Sequence, residues 1–136
     1  MNTFFRVFSR VHTYLLERTG GRSFTMGGRV LVLRSTGAKS GQRRSNPLMF
    51  LEEGDGWILA ASAAGADRHP GWFHNLRKTP DAEIFLRGDT IPVRASIPEG
   101  EERDRLWARF VAAEPRFADY QRKTTRRIPV IVLNRR

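Results

Sequence analysis

The sequence predicts an α+β fold: a small, mainly antiparallel, six-stranded β-barrel with peripheral helices. Three observations predict it. Six short apolar runs, rich in β-branched residues, are mostly separated by tight turns rather than by helical crossovers. The chain has 136 residues, so residues 1–136 are expected to form a single domain. It has no cysteine, so an apolar core drawn from the 40% of hydrophobic residues must hold it without disulfides or thiolate-bound metal.

The first element is an amphipathic helix over residues 2–19. Phe4, Val7, Phe8, Val11, Tyr14 and Leu15 recur at three- and four-residue spacing, with Arg6, Arg10 and Glu17 on the other face. Gly20 and Gly21 stop it. Such a helix suits either of two uses. It covers one end of the core, or it lies in a membrane interface, where Phe opposite Arg fits anionic headgroups. Arg6 and Arg10 break the apolar region and argue against a signal peptide, and no apolar run is long enough to span a bilayer. The expected setting is cytoplasmic, with peripheral contact at the inner membrane face if the helix meets lipid.

Val30 to Ser35 reads as a buried strand, and Thr36 to Gly41 as a turn bracketed by glycines. Ser45 to Glu52 is a second strand, turning through Gly54-Asp55 into a third, Trp57 to Ser62. These three predict an antiparallel meander. A small-residue loop, Ala63 to Asp67, follows. Pro70 opens a short helix with Trp72, Phe73 and Leu76 facing inward and Arg77 and Lys78 in its last turn. Glu83 to Leu86 and Thr90 to Ile97 form a hairpin. Gly100 to Ala113 is a helix with Leu106, Trp107, Phe110 and Val111 at core spacing and Arg103 on its solvated side. Pro115 breaks it. The unbroken branched run Ile128 to Leu133 predicts a last strand buried on both faces.

The formal net charge is +10, and only Lys39, Lys78 and Lys123 among the 24 basic residues are lysines. Guanidinium forks suit phosphate and carboxylate partners. Nucleic acid is one such partner, but aromatics do not interleave with the basic residues as a stacking platform requires. Several chemistries are excluded. Gly37-Ala38-Lys39-Ser40 lacks the spacing of a nucleotide P-loop, and Gly27-Gly28 precedes a strand instead of following one. No serine sits in a nucleophile elbow. His12, His69 and His74 have no metal-ligand spacing, so no metal site is expected. Two loops survive. The first carries Lys39, Ser40, Arg43 and Arg44 on a backbone that two glycines leave open to an anion. The second, Ser62 to Asp67, is small enough for close approach and leads into a helix bearing Trp72 and Phe73. Phosphate at one end and a flat ring at the other describe a flavin-like ligand, with solvated turns as the plainer alternative.

Four stretches carry a wider resemblance. They are Leu33 to Leu48 (LRSTGAKSGQRRSNPL), Ala61 to Leu76 (ASAAGADRHPGWFHNL), Pro98 to Trp107, and Asp119 to Val130 with its Thr124-Thr125-Arg126-Arg127-Ile128-Pro129 core. In these, in order and spacing, the chain resembles the deazaflavin-dependent nitroreductase family, a branch of the split β-barrel flavin and deazaflavin oxidoreductases. The resemblance implies coenzyme F420 as cofactor, with FMN as the alternative, and hydride transfer to a quinone, enone or nitro compound. A non-catalytic deazaflavin store is the rival reading. It also implies roles residue by residue. Lys39, Ser40 and Arg44 grip the cofactor phosphate, and Asn46 and Pro47 begin the strand beneath the ring. Ala61, Ser62 and Ala63 lie along its edge, and Trp72, Phe73 and Asn75 line its groove. Ser62 and Tyr120 are the candidate catalytic residues.

The chain departs from that family at points that matter. Ala38 stands where Arg is common, with Arg43 available to compensate, and Ala63 stands where Lys is common. Glu114 and Phe117 stand, with Tyr120, where nitroimidazole-reducing members carry tyrosines. The expected acceptors are therefore quinones more than bicyclic nitroimidazoles.

Overall fold

Closure of the sheet is set at one residue, Phe50. In the computed structural model, which describes residues 29–136, strand β1 (Val30–Thr36) is followed by β2 (Arg43–Met49), β3 (Leu51–Glu53) and β4 (Gly56–Ala60). Helix α1 (Gly71–Lys78) leads to β5 (Asp81–Leu86) and β6 (Asp89–Ser96); helices α2 (Gly100–Ala113) and α3 (Arg116–Arg122) precede β7 (Val130–Arg135). All strands belong to one antiparallel sheet in the order β2-β1-β5-β6-β7-β4-β3. Its two edge strands, β2 and β3, are separated in the chain only by Phe50. The sheet therefore curls until its edges meet in one bent segment, which is the split barrel that the resemblance implied. The Phe50 side chain is buried, and its N–H donates to the Arg29 carbonyl at 2.9 Å.

That bend corrects the expected meander. The run Ser45 to Glu52 is not one strand: its first part pairs with β1 and its last part with β4, while β4 turns to β7 on its other side. The third strand also ends early, at Ala60. The Ala61 N–H bonds Pro129 outside the ladder, and Ser62 already belongs to the loop. Helix α3 was not expected, since a seven-residue helix after Pro115 offers too little periodicity to read. The helix expected over residues 2–19, and His12 within it, lie outside the described residues.

Two cores explain the patterning. Trp57 and Leu59 of β4 point into the barrel with Leu31, Leu33 and Ile131, while the intervening Ile58 joins Leu106, Phe110 and Phe117 beneath α2 and α3. Strand β7 divides in the same way, with Ile131 and Leu133 inside and Val130 outside. This is the two-faced burial that its unbroken branched run predicts. Helix α2 spans the residues expected, but Arg103 is buried rather than solvated, with 8% of its surface exposed. The sequence reading of that residue is wrong. Arg103 shares the stripe of Leu106 and Phe110 at i, i+3, i+7 spacing and bonds the Ile128 carbonyl through both Nε (3.1 Å) and Nη2 (2.6 Å). Among the described residues no helix is long and apolar enough to cross a membrane.

The antiparallel pairings fix which connections share an end. The β1–β2 loop, the segment after β4, the start of β5 and the chain entering β7 all lie at one end of the barrel. The β3–β4 and β5–β6 hairpins lie at the other.

Candidate functional site

The first loop folds on itself before it faces anything else. Gly37 N–H donates to the Gln42 carbonyl (2.7 Å) and Gly41 N–H to the Gly37 carbonyl (2.9 Å). Ser40 Oγ accepts from Gln42 N–H at 3.1 Å, and Arg44 Nη2 reaches the same oxygen at 3.4 Å. A Cβ on Gly37 would stand 2.7 Å from Ser40 Oγ and 3.1 Å from the Gln42 carbonyl, so a side chain there would displace the Ser40 hydroxyl. The structure thus brings Ser40 and Arg44 together beside an exposed Lys39. Register places Arg44 and Asn46 opposite Ser35 and Leu33 of β1, on the barrel-facing side that continues to Leu48. Pro47, opposite Val32, lies on the other face of this edge strand, where a missing N–H is tolerated. Arg43 is paired with Glu83.

Helix α1 braces this loop. The buried Asn75 accepts from Ala38 N–H through Oδ1 (2.8 Å) and donates through Nδ2 to Ser35 Oγ (3.2 Å). Lys78 donates to the Ala38 carbonyl at 2.7 Å. Asn75, expected in the cofactor groove, is therefore committed to holding the first loop, and Lys78 is a second brace that the sequence reading missed. Trp72 and Phe73 face inward, as the helix reading expected. Both are buried, at 6% and 4% exposure, in the barrel core with Leu76. Their spacing with Leu76 is the signal of that core stripe.

The second loop is a tight reversal. Ser62 is right-handed (φ −80°, ψ −34°), and Ala63, Ala64 and Gly65 follow with φ of 46°, 54° and 85°. Left-handed alanines cost roughly 1–2 kcal/mol each, so the surroundings must impose them. They do so from two sides. A Cβ on Gly65 would stand 2.8 Å from the Tyr120 carbonyl and 3.1 Å from Lys123 Cβ, so α3 packs flush on the loop. Arg126 approaches from the other side and bonds the carbonyls of Ala61, Ser62 and Ala66. Ala61 is buried; Ser62 is half-buried and Ala63 exposed. The Tyr120 ring packs edge-on against Phe117, centroids 5.7 Å apart, with Lys123 Nζ 5.8 Å from its centroid. Phe117 itself is in the core, and Glu114 pairs with Arg116, so neither stands open on a substrate face.

His69 links the loop to α1. Its ring packs tilted against Phe73 with centroids 4.7 Å apart, and its Nδ1 accepts from Arg126 Nη1 at 3.0 Å. Burial first, and then the cations Arg126, His74 and Arg77, hold its pKa below the ordinary imidazole value. The folded state therefore binds fewer protons than the unfolded chain as pH falls through that value. Stability is lost on acidification and recovered as pH rises. Thermal melts from about pH 7 to about pH 5.5 are expected to show a larger fall in Tm for the parent than for His69→Gln, whose amide keeps an acceptor without titrating. Equal falls would remove His69 from this role.

The donor set at this end fits a ligand with a phosphate and a carbonyl-bearing edge. Ammonium and guanidinium groups gather at the first loop, and a right-to-left-handed turn, whose successive N–H groups converge on an acceptor, forms the second. The comparisons agree. The family model of the F420H(2)-dependent quinone reductases matches residues 7–135. An F420H(2)-dependent quinone reductase of Mycobacterium tuberculosis is 37% identical, the match covering 93% of this chain and 89% of that protein. A solved F420-H2 dependent reductase superposes with a TM-score of 0.71 at 37% identity, covering 78% of this chain and 94% of its own. A second solved chain, described as a domain-swapped dimer, gives 0.73 at 33% identity, covering 94% and 98%. With a match that runs nearly end to end, the chain belongs to the F420H(2)-dependent quinone reductase family.

Proposed function

We propose that the protein binds coenzyme F420 across the two loops and reduces a quinone with it. The carrying observation is the placement of a cationic loop and an N–H-bearing loop at one barrel end, both braced on α1. Lys39, Ser40 and Arg44 would hold the phosphate, the β2 segment of Asn46 and Pro47 would pass beneath the ring with Asn46 on the barrel-facing side, and Ala61, Ser62 and Ala63 would meet its edge. Reduced deazaflavin, when bound, supplies the hydride. The protein supplies the rest. Ser62 donates a hydrogen bond to the ring or the acceptor, and Tyr120 positions the acceptor or gives its product a proton. Trp72, Phe73 and Asn75 act through packing and bracing, which keeps the two loops in register with each other. The proposed setting is the cytoplasm, with peripheral contact at the inner membrane face if residues 2–19 meet lipid.

Fluorescence titration with oxidised deazaflavin and with FMN tests the first half. Deazaflavin is expected to bind more tightly, because FMN lacks the acidic tail that this basic chain can meet. The recovery of oxidised deazaflavin on mixing the reduced form with a soluble quinone tests the second. Tight binding without turnover would make the protein a store, and a preference for FMN would make it an FMN-binding relative. Reduction of bicyclic nitroimidazoles is expected to be slow, since Phe117 is buried and Glu114 is engaged by Arg116. Tyr120→Phe is expected to lower turnover more than it raises the apparent KM. Unchanged turnover would leave Tyr120 with its packing role alone.

A further inference from the structure

We infer that Arg126 is a positioning residue for the ring edge, turning the N–H groups of Ser62 and Ala63 outward as a preformed pair of donors. The inference rests on the proposed deazaflavin site, but the geometry that suggests it is independent of any ligand. The Arg126 guanidinium donates from Nε to the Ala66 carbonyl (2.7 Å), from Nη1 to the Ala61 carbonyl (3.1 Å) and from Nη2 to the Ser62 carbonyl (2.7 Å). Its Nη1 also reaches His69 Nδ1. Among the described residues it forms no ion pair. An arginine that commits its fork to three carbonyls of one loop acts as a staple, because the planar five-donor geometry fixes all three directions together.

The consequence follows from peptide geometry. The Ala61 oxygen belongs to the peptide unit that carries the Ser62 N–H, and the Ser62 oxygen to the unit that carries the Ala63 N–H. Every peptide bond described is trans, so oxygen and N–H point in opposite directions. Holding both oxygens on Arg126 therefore aims both N–H groups away from it. Among the described residues neither N–H finds an acceptor. The same contacts polarise the two peptide units, which strengthens the donors on their far side. The left-handed Ala63 and Ala64 are the backbone cost of that arrangement, and α3 pressing on Gly65 closes the clamp. A paired donor edge of this kind suits the carbonyl and ring-nitrogen acceptors along the pyrimidine side of a deazaflavin. The phosphate, gripped by the first loop, does not depend on it.

Two ligands separate these contributions: oxidised coenzyme F420, and its chromophore with the ribityl chain but no phosphate. Arg126→Gln is expected to weaken both by a similar factor of about ten, the value of one lost charge-assisted interaction, because the phosphate grip is untouched. Arg126→Lys recovers only part of this, since one ammonium cannot span three carbonyls. Turnover with a quinone falls more than its KM rises. Amide resonances of Ser62 and Ala63 shift on addition of the chromophore in the parent and not in Arg126→Gln. In the same variant the His69 pKa rises toward the ordinary value as one of its neighbouring cations is removed; His74 and Arg77 remain beside it, and Asp67 lies near Arg126. A merely structural role would lower Tm while leaving affinity and turnover of the folded protein unchanged, and that result overturns the inference. So does Arg126→Gln binding both ligands within twofold of the parent. Should Arg126→Gln not fold, Arg126→Lys is read by the same two criteria. A parent that binds neither ligand overturns the deazaflavin reading and this inference together.

Discussion

Lys39→Ala and Arg44→Ala are each expected to weaken coenzyme F420 binding by about 10- to 150-fold, the range of a lost hydrogen bond to a charged group. Lys39 is exposed at the tip of the first loop, and Arg44 leans over Ser40 from β2, so one anion can meet both. Neither side chain supports the fold. Lys39 is exposed, and among the described residues the Arg44 side chain makes one hydrogen bond, the long 3.4 Å contact to Ser40, so the melting temperature of the unliganded variants is expected to stay near the parent's. The phosphate-free chromophore serves as the internal control: its affinity should not change in either variant. Affinity for the full cofactor should fall as salt rises, and that for the phosphate-free chromophore should fall less. Arg87→Ala, on the hairpin at the opposite end of the barrel, should bind like the parent. Full-strength binding by both loop variants would reduce the loop to a plain turn and detach the phosphate from it.

How much of this was legible in the sequence depends on how local the cause is. Helix α2 was read to the residue because fourteen positions repeat one pattern and glutamates mark its start. The strands of the β5–β6 hairpin were read within two residues for the same reason. The bend at Phe50 was not legible. The run Ser45 to Glu52 is uniformly strand-like, and its break exists only because a curling sheet must bring its two edges together. That is a property of all the strands and of none in particular.

The site divides in a similar way. Lys39, Ser40 and Arg44 announce themselves by charge and glycine spacing, and the structure brings Ser40 and Arg44 within 3.4 Å of each other. Arg103 was misread although a signal was present. It shares a helical stripe with the buried Leu106 and Phe110, and residue type was allowed to outweigh position. Arg126 gave no signal of its own, because its partners are backbone carbonyls, which any sequence supplies. Its quotation within the Thr124–Pro129 stretch was the nearest the sequence came to it.

Arg103→Ala is expected to destabilise the protein by about 2–4 kcal/mol, the largest effect on stability expected of any single arginine here. Hydrogen bonds from a charged donor contribute about 1.5–3 kcal/mol, and a guanidinium over an indole about 0.5–2. Arg103 supplies both: its fork closes on the buried Ile128 carbonyl, and its Cζ stands 5.0 Å from the Trp107 centroid. Nη2 also reaches Gln121 Oε1, which accepts from the Ile128 N–H, while Gln121 Nε2 donates to the Arg126 carbonyl. Truncation therefore leaves a buried carbonyl without its donor and loosens the segment 121–128 that carries Arg126. At this chain length the loss corresponds to a fall in Tm of roughly 8–15 °C. Arg103→Lys should recover less than half, since a single ammonium cannot fork across Ile128 while stacking on Trp107. Deazaflavin affinity should also fall in Arg103→Ala, by less than in Arg126→Gln, because the staple is displaced and not removed. A Tm within about 2 °C of the parent, well under the shift that even 1 kcal/mol produces, would return Arg103 to the solvated face that the sequence first suggested.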